Sequence, residues 1–229
     1  MRVVIVGYGV QGKKRLTVAG PDAIGVVDPI SPGADWRDLC DVPLDRYDAA
    51  IVCTPDAPKP ALLRHLLGHG KHALVEKPLY GGSADELEEL EALAGRNAAL
   101  CYTAYNHRFE PHYVRMRDVI GSGELGRIYR CRMFYGNGTA RLVRESDWRD
   151  RGAGVLPDLG SHLLDTARFW FGDIGHDFQV VSVSRFENRA PDHVVIASES
   201  SLPKLEFEIA RSCGARVGRP AWATAATGE

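Results

Sequence analysis

Short apolar runs punctuate the first part of the chain: VVIV (Val3–Val6), IGVVD (Ile24–Asp28), AAIVC (Ala49–Cys53), HALVE (His72–Glu76) and AALCYTA (Ala98–Ala104). Several are apolar at nearly every position, which predicts strands covered on both faces, as in a parallel sheet, rather than half-exposed strands with alternating faces. Between them the spacing becomes helical. PALLRHLLGHGK (60–71) ends in glycines that can stop a helix, and SADELEELEALAG (83–95) opens on Ser83 with Glu86 at capping-box spacing and closes on Gly95. Strand and helix in steady alternation predict an open α/β sheet.

After about Gly123 the pattern changes. RIYRCRMFYG (127–136) reads as a strand with mixed faces, and ARLVRESDWRDRGAG (140–154) as a polar, arginine-rich connection without clear period. A helix is predicted from about Asp158 to Phe171, and FQVVSVSRF (178–186), HVVIASES (193–200) and KLEFEIARS (204–212) alternate as sheet strands do. This predicts an α+β second domain with an open, mostly antiparallel sheet, with no further long helix. The expected partition is 1–120 and 121–229, with the linker somewhere in 105–125; no internal repeat is visible, and the tail GRPAWATAATGE (218–229) has no element pattern.

Composition narrows the partners. The 229 residues are 45% hydrophobic, enough to fill a real core, and 28 Lys and Arg against 30 Asp and Glu leave no strong field of either sign. A nucleic-acid binder usually carries a basic excess, so no nucleic-acid partner is expected. The five cysteines form no CxxC pair, which fits a reducing compartment better than a disulfide scaffold. With no signal-peptide run and no membrane-length apolar stretch, no membrane partner and a cytoplasmic location are expected.

The candidate chemistry starts at VVIVGYGVQG, where Gly7, Gly9 and Gly12 follow the first strand directly. Such glycines allow a tight turn, close approach of backbone to a pyrophosphate, and close packing of helix on strand. A plain turn is the competing reading. Gly7, Tyr8, Gly9, Val10, Gln11 and Gly12 are therefore candidate cofactor-binding residues, and Asp28, at the end of the second strand, is placed to accept the ribose hydroxyls of an adenosine. A carboxylate there repels a ribose phosphate, so NAD is expected over NADP. Cys53, Thr54 and Pro55 after the third strand, and Glu76 and Lys77 after the fourth, stand where open α/β sheets bind ligands. Lys77 is a candidate for polarising a substrate oxygen, against the commoner reading of a solvated turn lysine.

In GAGVLPDLGSHLLD, Asp158 and His162 lie one helical turn apart, beside the apolar stripe Leu159, Leu163, Thr166 and Trp170. An imidazole can accept and return a proton near neutral pH. Helix capping by Asp158 and a structural histidine are the alternatives. No metal is expected, because no third and fourth ligand at persuasive spacing accompanies the pair.

Taken in order, VVIVGYGVQG, EKP, AYNHRF (104–109) and GAGVLPDLGSHLLD resemble the Gfo/Idh/MocA oxidoreductases, the glucose-fructose oxidoreductase and inositol dehydrogenase family. The resemblance implies that Lys77 contacts both cofactor and reacting hydroxyl, that Pro78 is cis, that His162 is the acid/base and that Asp158 orients the substrate. It also implies that Tyr105, Asn106 and Arg108 lie near the ligand. Trp148 and Arg149, in the connection before the helix, complete the expected substrate-binding set. Two departures stand out. Many members have a histidine where TPDAPK has Lys59, and members generally carry a larger second sheet, usable for homodimers or homotetramers, than the four or so strands recognisable here.

The expected activity is NAD-dependent hydride transfer to or from a secondary alcohol or carbonyl of a sugar, cyclitol or sugar nucleotide, with His162 moving the proton and Lys77 stabilising the alkoxide. Reduction of a different carbonyl substrate, or an internal redox cycle with retained cofactor, is the rival among enzymes. A catalytically inactive dinucleotide-binding sensor or scaffold is the rival outside them. Arg141, Arg144, Arg149 and Arg151 would suit a uronate or nucleotide sugar, or form a solvated loop.

Overall fold

Val3–Val6 is strand β1, with all four residues buried, as continuous apolar character requires of a strand covered on both faces. In the computed structural model, which describes residues 1–79, 83–146, 150–199 and 203–212, it is an inner strand of a five-stranded sheet. Its companions are β2 (Ala23–Val27), β3 (Ala49–Val52), β4 (His72–Val75) and β5 (Cys101–Thr103), all parallel, in the order β2-β1-β3-β4-β5. Helices α1 (Val10–Ala19), α2 (Lys59–Gly68) and α3 (Ala84–Arg96) connect β1 to β2, β3 to β4 and β4 to β5, while β2 reaches β3 through the short 3-10 turns Leu39–Asp41 and Leu44–Arg46. Leu63, Leu66 and Leu67 of α2 are fully buried against Val4, Val6, Val52 and Val75; each such side chain contributes roughly 1.5–3 kcal/mol by leaving water. The Ser83 hydroxyl accepts from the Glu86 N–H at 3.2 Å, which is the cap the spacing predicts for α3.

The chain divides into two compact units, Met1–Tyr105 and Asn106–Glu229. In the second, β6 (Arg130–Asn137), β7 (Phe178–Ser184), β8 (His193–Ser198) and β9 (Lys204–Arg211) form a sheet in the order β6-β9-β8-β7. The β7–β8 and β8–β9 pairings are antiparallel and β6–β9 is parallel, so the sheet is mostly antiparallel, as expected. Its inward face, including Val194, Ile196, Leu205, Phe207 and Ile209, packs with Val155, Leu159, Leu163 and Ala167. Two helices escape the sequence pattern. Helix α4 (Pro111–Ser122) buries no residue fully, so its apolar stripe is thin, and α5 (Ala140–Arg144) is too short to show a period although Ala140 and Val143 are buried. The helix expected from Asp158 begins instead with a π-helical turn, Leu156–Gly160, and continues as α6 (Ser161–Phe171).

Candidate active site

The first unit builds a cradle from backbone. Gly7 has φ +94°, and a Cβ there would stand 2.9 Å from the carbonyl oxygen of Cys53; a Cβ on Gly12 would overlap the Gly7 carbonyl. At Gly9, by contrast, an added Cβ would meet nothing within 4 Å. Gly9 is also the N-cap of α1, with no side-chain cap among the described residues, and the first N–H groups of an α-helix have no intrahelical acceptors. Such a terminus suits a pyrophosphate. Asp28 stands at the carboxyl end of β2, held by backbone N–H groups. Its Oδ2 accepts from the Tyr8 N–H at 2.7 Å, and its Oδ1 from Ser31 at 2.7 Å and Ile30 at 3.0 Å. Burial alone would raise its pKa, but these N–H groups, with Arg37 nearby, hold the carboxyl below the usual range. A fixed, ionised carboxylate at the end of β2 fits paired ribose hydroxyls.

Along the same carboxyl edge, the Thr54 hydroxyl is buried with no hydrogen-bond partner among the described residues, a polar atom that an amide or ribose group would satisfy. Burial, and then the charge of Glu76, pushes the Cys53 thiol up to about 12, so it stays protonated at neutral pH. The Lys77–Pro78 bond is cis. Glu76, expected at the cofactor, has its carboxylate paired with Arg15 of α1 at 2.5 Å. Nothing in the local pattern around EKP points to that partner, 61 positions away.

In the second unit His162 is buried on α6, its ring 4.9 Å from that of His107 and 5.6 Å, edge-on, from that of Tyr135. His107 Nδ1 lies 2.8 Å from Glu110 Oε1, which also accepts from Asn106 Nδ2 at 2.7 Å. Burial, followed by the charges of Asp158 and Glu110, raises the Tyr135 phenol, so Tyr135 stays protonated beside the imidazole. Asp158 caps no helix. It sits inside the π-helical turn, and its carboxylate pairs with the buried Arg211 of β9. Arg108 turns its guanidinium to Asp165, with contacts of 2.7 to 3.0 Å in a forked pair that ties the 106–109 turn to α6. Trp148 and Arg149 lie outside the described residues. Of the other arginines, Arg144 donates to the Glu187 carbonyl at 2.9 Å and Arg141 pairs loosely with Glu145 at 3.5 Å, while Arg151 is exposed.

Comparison with known proteins places both halves. Residues 1–105 match the model described as oxidoreductase family, NAD-binding Rossmann fold, and residues 113–200 match the GFO/IDH/MocA C-terminal domain. The chain belongs to the Gfo/Idh/MocA oxidoreductase family. Its first unit is therefore the family's NAD-binding Rossmann domain, and the glycine turn and Asp28 lie in the part that match covers. Among Gfo/Idh/MocA relatives, the uncharacterized oxidoreductase YrbE of Bacillus subtilis is 27% identical over 141 residues, 61% of this chain and 39% of that protein. Inositol 2-dehydrogenase 4 of Saccharopolyspora erythraea is 26% identical over 93% of this chain and 68% of its own length. An inositol dehydrogenase homolog from Azotobacter vinelandii, solved with NADH and myo-inositol, superposes with a TM-score of 0.77 at 22% identity, covering 94% of this chain and 65% of that one. The chain thus spans well under two thirds of the first of these relatives.

Within this Gfo/Idh/MocA chain the sequence reading missed Tyr135, His107 and Arg211. Arg211 was legible in principle: Leu205, Phe207, Ile209 and Arg211 occupy the inward face of β9 in strict alternation, so a charge on a core face asks for a buried partner. No helix among the described residues is long and apolar enough to cross a membrane, and no group of three or more His, Cys, Asp or Glu among them could hold a metal.

Proposed function

We propose that this chain is an NAD-dependent oxidoreductase acting on a secondary alcohol, or the matching carbonyl, of a sugar, cyclitol or sugar nucleotide. The observation that carries the reading is the open helix N-terminus at Gly9 beside an ionised Asp28, held within a family whose first domain binds NAD. The inositol 2-dehydrogenase names among its relatives support a polyhydroxylated substrate. When bound, NAD supplies the hydride acceptor. The chain supplies the rest. Lys77 donates a charge-assisted hydrogen bond to the developing alkoxide, and His162 accepts the hydroxyl proton in oxidation and returns it in reduction. The Asp158–Arg211 pair orients the substrate's remaining hydroxyls, with Asn106 and the arginine-rich connection at its periphery. A homodimer or homotetramer through the second sheet belongs to the same reading, and solution mass tests it.

The deciding experiment is a screen of sugars, cyclitols, uronates and nucleotide sugars for NADH formation, repeated with Lys77→Met. Turnover should fall by about 10²–10³-fold in the variant while NADH binding is kept, since one preorganised donor to an oxyanion has that weight. Equal turnover in variant and parent would sink the role of Lys77. NADH binding without turnover on any member of the panel would instead favour a dinucleotide-dependent sensor.

A further inference from the structure

We propose that Lys59 is a positioning residue: its buried ammonium grips the backbone on both sides of Lys77 and holds the turn after β4 ready for the nicotinamide half of the cofactor. The inference rests on the cofactor reading above and assigns a role that reading does not contain.

Lys59 opens α2 and is 1% exposed, a position lysine takes only when its charge is fully compensated. Its Nζ donates to Asp56 Oδ1 at 2.7 Å, to the Glu76 carbonyl at 2.8 Å and to the Pro78 carbonyl at 2.7 Å. An ammonium has three hydrogens to give, and these three acceptors match them. Two are the main-chain oxygens of the residues immediately before and after Lys77. The Lys77 backbone is therefore pinned at both neighbours, while the Asp56 contact latches the loop after β3 to the turn after β4. A second grip acts on the same turn from α1, where Arg15 holds the Glu76 carboxylate.

Sheet order says which part of the ligand this latch serves. Along the carboxyl edge come Asp28 after β2, the glycine turn after β1, Thr54 after β3 and Lys77 after β4. The adenosine-side carboxylate is thus at one end and the Lys59 latch is two or more strands away. A histidine here, which the family resemblance implies for many members, offers two ring N–H groups at most and no fixed charge. Lysine makes one contact more, and only an acceptor cage like this one can take it.

The test compares NADH with ADP-ribose, which lacks the nicotinamide, by fluorescence and calorimetric titration of the full chain. The parent should bind both. Lys59→Met keeps length without donors; it should bind ADP-ribose within about twofold of the parent and NADH about tenfold more weakly, the size expected when a turn carrying a ligand contact loses its placement. Lys59→His should recover part of the loss. Unchanged NADH affinity in Lys59→Met would overturn the proposal, and so would equal weakening of both ligands, which marks general damage to the fold. Should Lys59→Met fail to fold, Lys59→His decides alone: selective weakening of NADH supports the role, and parent-like or unselective binding removes it. A parent that binds neither ligand defeats the cofactor reading itself, and the role of Lys59 with it.

Discussion

A methyl group on Gly12 would overlap the Gly7 carbonyl oxygen, backbone that no side-chain rotation can move aside. Gly12→Ala should therefore push α1 off β1 and weaken NADH binding by at least about tenfold, whereas Gly9→Ala, which adds its methyl to open space, should leave the fold intact and obstruct only the ligand. Thermal midpoints with and without NADH separate the two. Asp28 offers a second test: Asp28→Ala should raise the NADPH to NADH affinity ratio, because a negative charge facing the ribose phosphate is gone. The pH dependence follows in sign. Its folded pKa lies below the ordinary value, so its contribution is complete above the unfolded pKa and is lost only as pH falls through the folded one. The parent's affinity for NADH, which carries no ribose phosphate, should be the same at about pH 8 and about pH 5, both above a carboxyl's ordinary titration range; a loss of affinity at the lower pH would contradict it. Glycines and Asp28 were legible because the demand they answer is local backbone chemistry. The Arg211–Asp158 and Arg108–Asp165 pairs were not, since each joins residues more than fifty positions apart and nothing nearby announces the partner.

Strand β8 starts beside a carboxylate that organises its whole approach. Asp192, 1% exposed, accepts from the N–H groups of Phe186, Glu187 and Asn188, at 2.5 to 3.1 Å. Asn188 in turn donates to the Ala140 carbonyl at 3.0 Å, so the β7–β8 connection reaches α5. Asp192→Ala should destabilise the second unit by about 3 kcal/mol, as buried N–H groups lose a charged acceptor; a shift of less than about 1 kcal/mol in urea denaturation would show that water replaces it. At this scale β1 to β4 were readable to within a residue at each end, because the burial of most of their positions leaves little room for polar residues, whereas β5, mostly exposed, is three residues long where the run Ala98–Ala104 suggested seven. Helices α4 and α5 were not. One covers its neighbours without a fully buried stripe, and the other is five residues long, so neither imposes a period on the sequence.

The two units carry separate apolar cores, one built on the β1–β5 sheet and the other between α6 and the β6–β9 sheet. The residues proposed to hold the cofactor, the glycine turn, Asp28 and Thr54, all belong to the first. Calorimetry at NADH near 100 times its dissociation constant should therefore stabilise the first unit's unfolding by about 2.7 kcal/mol and shift the second less. An equal shift of both would mean that they unfold as one. The alternation of three pairs of strand and helix announced the first unit; the second was harder to read because β6 and β9, hydrogen-bonded neighbours, are separated by two other strands in sequence. That arrangement bears on how the protein is made. Because β9 is an inner strand, flanked by β6 and β8, a nascent chain emerging from the ribosome displays two unsatisfied sheet edges until the stretch around residue 211 is synthesised. The first unit can be finished while translation continues; the second must wait, and in that interval its open edges are what a chaperone would have to cover.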